Sequence, residues 1–237
     1  KYDWVGFKKY KRVINDQEYQ DAAKFTFIYV IVSVVIEIIL GLFLAFLFNR
    51  RIYGRGFMRS LMILPIFATP FAIGFMFFTI LFEISGPLAW MGIPFLSNHN
   101  WAPFSVMLVD IWQWTPFCFL VFLAALQGIP DDLIEAATLD TKSAYKIWTS
   151  VILPLLQPII VLVILLRVAE SAKLYDYIAS LTKGGPGTAT QSVSFLVFNK
   201  AFKMNDFGYA SAGSFLMLIV VMVFVMLFFT RLRKTYE

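Results

Sequence analysis

Six ionisable residues sit where an apolar chain has least use for them. Glu37 is the one charge between Phe25 and Phe48, and Asp110 is the one ionised group between Phe104 and Leu126. Arg167, Glu170, Lys173 and Asp176 follow the uncharged run Leu155–Leu166. In hydrocarbon an isolated charge is expensive, so such groups either pair with one another or mark a polar path. Arg167, Glu170 and Lys173 are spaced i, i+3 and i+6, which suits successive ion pairs along one flank of a helix. Glu37 reads as an interhelical hydrogen-bond partner. Other chemistries lack their parts. The single His99, in the polar stretch Ser97–Asn100, cannot build a histidine metal site, and Ser/His/Asp or Cys/His catalysis would have to recruit it. The single Cys118 forms no internal disulfide. Gly184-Gly185-Pro186-Gly187 lacks the Lys and the following Ser/Thr of a phosphate-binding loop and reads as a flexible turn.

The elements that must hold these charges are membrane helices. Of 237 residues, 59% are hydrophobic and 15% charged, whereas soluble domains carry about 25% charged residues. Twenty-six Phe cannot all be hidden inside a water-soluble particle of 27.1 kDa. Disorder, collagen, coiled coil and a disulfide-stapled module are excluded by the same composition. A spanning helix needs about 20 apolar residues. Four runs meet that length: Phe25–Phe48, Leu61–Phe82, Phe104–Leu126 and Ala210–Thr230. A fifth, from Leu155 to Leu181, crosses only if it carries its charges on a face turned to protein or water. Pro65, Pro70 and Gly74 interrupt the second run, and Pro116 can break the third. The expectation is an all-α polytopic bundle with five spans, a segment 1–24 before them and a tail 231–237 after them.

Charge does not orient the bundle. The surplus of +5 belongs to helix flanks rather than to nucleic-acid binding. It divides almost evenly: ten Lys and Arg fall on the side of Lys1–Lys24, Lys173 and Lys183–Lys203, nine on the side of Arg50–Arg59, Lys142, Lys146 and the tail. A further span before Lys1 would place both ends on one side.

Gln127–Pro154 is long for a connection between spans. Asp131 or Asp132 can cap a helix beginning near Leu133, and Ser143 can start a second, with Tyr145, Ile147 and Trp148 on an apolar face. Two such helices make either a docking surface or an amphipathic segment lying on the membrane. Here the residues become specific. Glu135-Ala136-Ala137, then Asp140, then Leu153-Pro154 resembles the EAA signature of the membrane subunits of ABC importers. Trp4-Val5-Gly6-Phe7 with Tyr10 resembles the WVGLxNY segment of carbohydrate importers. Leu181-Thr182 with Gly184-Gly185-Pro186-Gly187 and Thr190 resembles their LTxGGP loop, and Phe207-Gly208-Tyr209-Ala210-Ser211-Ala212 their FGYASA motif. Over essentially the whole chain the sequence is similar to the maltose-type permeases of sugar ABC importers.

That resemblance implies a type I (MetI-like) permease of six spans, the first absent from these residues. The protein would lie in the cytoplasmic (inner) membrane of a prokaryote, with residues 127–154 in the cytoplasm. It implies import of a di- or oligosaccharide or polyol by alternating access, beside a second permease subunit, two ATPase subunits holding ATP and Mg, and an extracytoplasmic sugar-binding protein. This chain itself would be non-catalytic and carry no cofactor or metal. Contacts with the ATPase fall to Glu135, Ala136, Ala137, Leu139, Asp140, Thr141, Tyr145, Trp148, Leu153 and Pro154. Thr141 stands where the family usually has Gly, so a left-handed turn there would carry a strain of about 1 kcal/mol or more. Gly184–Gly187 would face the binding protein. Sugars are held by aromatic faces and a few placed polar groups, which makes Asp110, Trp112, Gln113, Trp114, Glu170, Ser171, Lys173 and Tyr175 candidates for the path, with Tyr177 nearby. The competing class is an ion-coupled secondary transporter using Glu37, Asp110 and Glu170 as carriers.

Overall fold

The apolar runs become helix because, in hydrocarbon, a backbone must satisfy its own N–H and C=O groups. The structure, a computed structural model, describes residues 6–49 and 53–236, and for Arg55 and residues 231–236 the backbone alone. Trp4, Val5, Arg50, Arg51, Glu237 and the basic side chains of the tail lie outside the described residues. The helices are α1 (Lys8–Ile14), α2 (Gln17–Asn49), α3 (Arg55–Phe67), α4 (Pro70–Leu81), α5 (Trp101–Gln127), α6 (Asp131–Asp140), α7 (Ala144–Ile147), α8 (Leu153–Ser171), α9 (Val193–Phe198) and α10 (Phe207–Tyr236).

Three of these differ from the sequence expectation. The run Leu61–Phe82 is not one helix: α3 and α4 meet at 100° across a two-residue break. Pro70 is the cause, since it favours an extended residue before it and the start of a helix after it. Thr69 is extended, and its hydroxyl accepts from the Ala72 N–H. Gly74 is not the hinge but a point of close approach, where an added Cβ would lie 2.0 Å from Ser180 Oγ. The fifth run does not continue to Leu181: α8 ends at Ser171, and the chain turns before a π-helical turn over Ile178–Thr182. It gains its length at the other end, because Ala144–Ser171 is one unbroken helix of 28 residues. A π turn over Trp148–Ile152 precedes Pro154, and the Leu153 N–H bonds to the Trp148 carbonyl five residues back. Pro116, in contrast, leaves α5 unbroken.

The centre of the bundle is α2 packed along α5, with α8 against both. Ala45, Phe48, Cys118, Phe119, Phe122 and Leu156 form one buried cluster there. Close approach depends on Gly41, where an added Cβ would sit 2.6 Å from Cys118 Cβ and 3.0 Å from the Phe119 nitrogen. Neither neighbour can rotate away. Gly41→Ala is therefore expected to lower stability by about 1–3 kcal/mol through overpacking, read as a drop in melting temperature of the detergent-solubilised protein; an unchanged melt would show that α2 and α5 slide freely.

The ends differ in character. Phe46 of α2 meets Trp148 edge-on at 5.2 Å, which places the α6–α7 end where α2 finishes. Where α2 begins, Glu18 bonds Lys200 at 2.6 Å and the Tyr19 hydroxyl donates to the Gly213 carbonyl at 3.0 Å. These ends are about 40 Å apart along α2.

Candidate functional site

Arg167, Glu37 and Asp110 come from three helices and meet inside the bundle. Each is at most 2% exposed. Arg167 Nε donates to Glu37 Oε2 at 2.6 Å and its Nη2 to Glu37 Oε1 at 2.8 Å, a bidentate pair across α8 and α2. The same Nη2 reaches both Asp110 oxygens of α5 at 3.2 and 3.3 Å and the Ser171 hydroxyl at 3.0 Å. The Trp114 ring lies 4.7 Å from the guanidinium carbon, a cation–π contact. The expected ladder of Arg167, Glu170 and Lys173 along one flank does not form. Arg167 turns inward, while Glu170 and Lys173 pair with each other at 2.8 Å, both exposed. The reason is charge: two buried carboxylates outweigh one partially solvated one as partners for a guanidinium.

A second polar chain supports the first. The Trp114 indole N–H donates to the Tyr177 hydroxyl at 3.1 Å, which donates to Gln113 Oε1 at 2.7 Å. Gln113 Nε2 donates to the Ala68 and Pro65 carbonyls at 2.8 and 3.3 Å. They lie where α3 ends: the Pro65 carbonyl also accepts from the Ala68 N–H at 3.4 Å, while the Ala68 carbonyl, left open by the break, needs a side-chain donor in a membrane. Gln113 thus braces the 100° bend, and it is not among the residues that line the cavity beside it.

The space beside these groups is a cavity of about 160 Å³, lined among others by Tyr29, Asp110, Trp114, Glu170, Lys173 and Tyr175. Of the sequence candidates, Asp110, Trp114, Glu170, Ser171, Lys173 and Tyr175 converge there. Trp112 does not: two residues of helix turn it about 200° from Asp110, and it is half exposed, edge-on to Phe77 of α4 at 5.2 Å. Asp176, the last of the six ionisable residues, also lines the cavity, and so does Tyr29, which the sequence reading did not offer. Tyr29 lies in the apolar run Phe25–Phe48, and nothing in its spacing marks it.

At the other site, α6 buries no residue at all. Glu135, Ala136 and Asp140 are exposed, Leu139 is 89% and Tyr145 80% exposed, and Leu153 and Pro154 are exposed as well. No side-chain partner of Glu135 occurs among the described residues. The helix starts at Asp131 after Pro130 with no side-chain cap, whereas Ser143 accepts from the Lys146 N–H as expected. Thr141 is extended, with φ −153° and ψ 138°, so the anticipated strain does not arise: a β-branched residue suits that conformation. Trp148 is not presented outward but packs on Phe46.

Near the start of α2, the Gly184–Gly187 turn is tied rather than flexible. The Thr190 hydroxyl bonds the Gly185 carbonyl at 2.8 Å and the Thr182 hydroxyl at 2.7 Å, and the Thr190 N–H reaches the Gly184 carbonyl at 3.3 Å. Gly184 has φ +88° and leaves no room for a Cβ, the Phe195 ring being 3.0 Å from that position. The Ser192 hydroxyl donates to the Leu174 carbonyl, which pins the break after α8.

The described part of segment 1–24 is likewise anchored. Lys9 and Arg12 reach Asp206 at 3.1 and 2.9 Å, and the Tyr209 hydroxyl donates to Asp16 at 2.7 Å. The Asp206 carboxyl is held below the usual carboxylate range by the Tyr209 backbone N–H, against partial burial and with help from Lys9 and Arg12. A carboxyl with a depressed pKa stabilises the fold above its unfolded pKa and loses that contribution as pH falls through the folded value. Hydrogen exchange at the amides of α1 is therefore expected to accelerate as pH drops below about 4, relative to α5, and Asp206→Asn should abolish that relative change; a persistent acceleration in the variant would assign it elsewhere.

A bundle of bent and unbroken apolar helices, with a buried ionic cluster beside a cavity and an exposed helix pair at one end, is a membrane permease. Residues 37–237 match the family described as binding-protein-dependent transport system inner membrane component, and the chain belongs to that family. It is 36% identical to a trehalose/maltose transport system permease protein of Thermococcus litoralis, over 95% of this chain and 78% of that one. It is 31% identical to a multiple sugar-binding transport system permease protein of Streptococcus mutans, over 100% and 83%. In fold it resembles a chain of a bacterial ABC transporter involved in the import of the acidic polysaccharide alginate, with a TM-score of 0.88 at 22% identity, covering 100% of this chain and 86% of that one. Such permeases are the non-catalytic membrane components of ABC transporters.

Proposed function

We propose that the chain is one of two permease subunits that move a sugar or polyol inward by ATP-driven alternating access. ATP and Mg are held by two separate ATPase subunits, and an extracytoplasmic binding protein delivers the cargo. The observation that carries this reading is the α6–α7 pair: α6 has no buried residue, and the pair exposes Leu133, Leu139 and Tyr145 beside Glu135. Surface of that kind lacks its partner. A coupling surface of an ATP-driven permease sits at the end opposite the substrate entry, as α6–α7 does relative to the Gly184–Gly187 turn. Coupling requires that it contact the ATPase differently in the two states of the cycle.

The cavity is the substrate path of this reading. At about 160 Å³ it falls below the usual 300–1,000 Å³ of a small-molecule site, so this chain supplies part of a site that the second permease completes. Sugar names among the relatives support the cargo class. The reading is tested in proteoliposomes containing the assembled transporter. Uptake that needs ATP and is blocked by vanadate supports it; uptake abolished by a protonophore and indifferent to vanadate would assign the chain to ion-coupled transport.

A further inference from the structure

We propose that the cavity selects by charge, accepting neutral polyhydroxylated cargo and turning away anionic sugars such as sugar phosphates and uronates. This rests on the reading of the cavity as part of the substrate path. Five ionisable side chains line it: Asp110, Arg167, Glu170, Lys173 and Asp176. An anionic cargo needs a cation with charge to spare, for which a guanidinium offering its fork is best suited. Arg167 is already shared between two carboxylates, Glu37 at 2.6 Å and Asp110 at 3.2 Å, with the Trp114 ring beside it. Lys173 is bound to Glu170 at 2.8 Å. The Asp176 carboxylate is exposed and has no ion-pair or hydrogen-bond partner among the described residues. Both cations of the lining are therefore committed to carboxylates, and Asp176 is left over as a carboxylate without a cation at the exposed rim.

The weakest link in this balance is the exposed Lys173–Glu170 pair, which could exchange partners at little cost. Even so, a Lys173 drawn to an anion would leave Glu170 unpaired on the rim that already holds Asp176. Like charges at that range repel more strongly near protein than in bulk water. The same groups suit a neutral sugar. Glu170 and Asp176 accept hydroxyl protons in charge-assisted bonds, Ser171 and the Tyr175 and Tyr177 hydroxyls stand close by, and the aromatic rings of Trp114 and Tyr175 provide faces of the kind sugars stack on.

The test uses the transporter assembled from this chain, its partner permease and the ATPase subunits, without the binding protein, whose own selectivity would mask the effect. A panel of neutral oligosaccharides, each beside its phosphorylated counterpart, is titrated and read by tryptophan fluorescence and by ATPase stimulation. Neutral sugars are expected to bind about tenfold or more tightly than their phosphates, and the ratio should shrink as salt is raised. In the double variant Glu170→Gln/Asp176→Asn, which also frees Lys173, the phosphates should gain about tenfold relative to the neutral sugars. Phosphates that bind as well as neutral sugars, or a preference unmoved by both salt and the double variant, would overturn the charge selection while leaving the path intact. Failure of every sugar to bind would overturn the path itself, and the selection with it.

Discussion

Replacing Arg167 by Met is expected to deplete the folded protein severely, with a loss of about 3–5 kcal/mol. Arg167 is 2% exposed and is the partner of two carboxylates that are themselves 0% and 2% exposed. Removing it leaves Glu37 and Asp110 side by side with no cation, in a medium that solvates neither. Against a typical total stability of about 5–15 kcal/mol, that is a large fraction. A merely bulky residue would not have this effect, and the distinction can be measured. The triple variant Arg167→Met/Glu37→Gln/Asp110→Asn removes the guanidinium and both charges together, and replacing a whole buried ionic cluster by neutral groups is often close to neutral. Thermal melting of the solubilised complex should therefore fall sharply for the single variant and recover for the triple. If the single variant melts like the parent, the cluster does not hold α2, α5 and α8 together.

Glu135→Arg is expected to have the opposite profile: normal accumulation, normal melting and transport lowered about tenfold or more. Glu135 is exposed on a helix with no buried residue, so reversal of its charge has nothing to disturb within the chain. The loss falls on the surface proposed to meet the ATPase, where a misplaced charge costs both the bond and its desolvation. The measurements are reconstituted uptake and sugar-stimulated ATP hydrolysis on the same preparation. Uptake and stimulation equal to the parent would remove Glu135 from the coupling contact. The two variants thus separate a residue whose work is inside the chain from one whose work lies at its border.

The pairing of Arg167 illustrates where sequence reading stops. Spacing along one helix offered Glu170 and Lys173 as its partners, and only those can be seen from i, i+3 and i+6. Its actual partners lie 130 and 57 residues away, brought level by packing of α2 and α5 that depends on Gly41. Gln113 shows the same limit. Its neighbours Asp110 and Trp114 suggest a path residue, while its amide satisfies the Ala68 carbonyl, left open where α3 and α4 part at 100°. The prolines announced a break but not which of them would make one: Pro70 does, after an extended Thr69, and Pro116 does not.

What the sequence determined by itself is what local composition can determine. Hydrophobic length dictated membrane helices, and the ordered motifs of Glu135–Pro154, Leu181–Thr190 and Phe207–Ala212 dictated the family, to which the chain belongs. The tertiary structure alone decided which charges are sealed in and which remain available, where the long helix begins and ends, and that Thr141 sits unstrained. The reason is physical. A helix is settled by groups a few residues apart, but the partner of a buried charge is settled by whichever helix face the packing brings within about 3 Å of it, and no spacing along the chain records that.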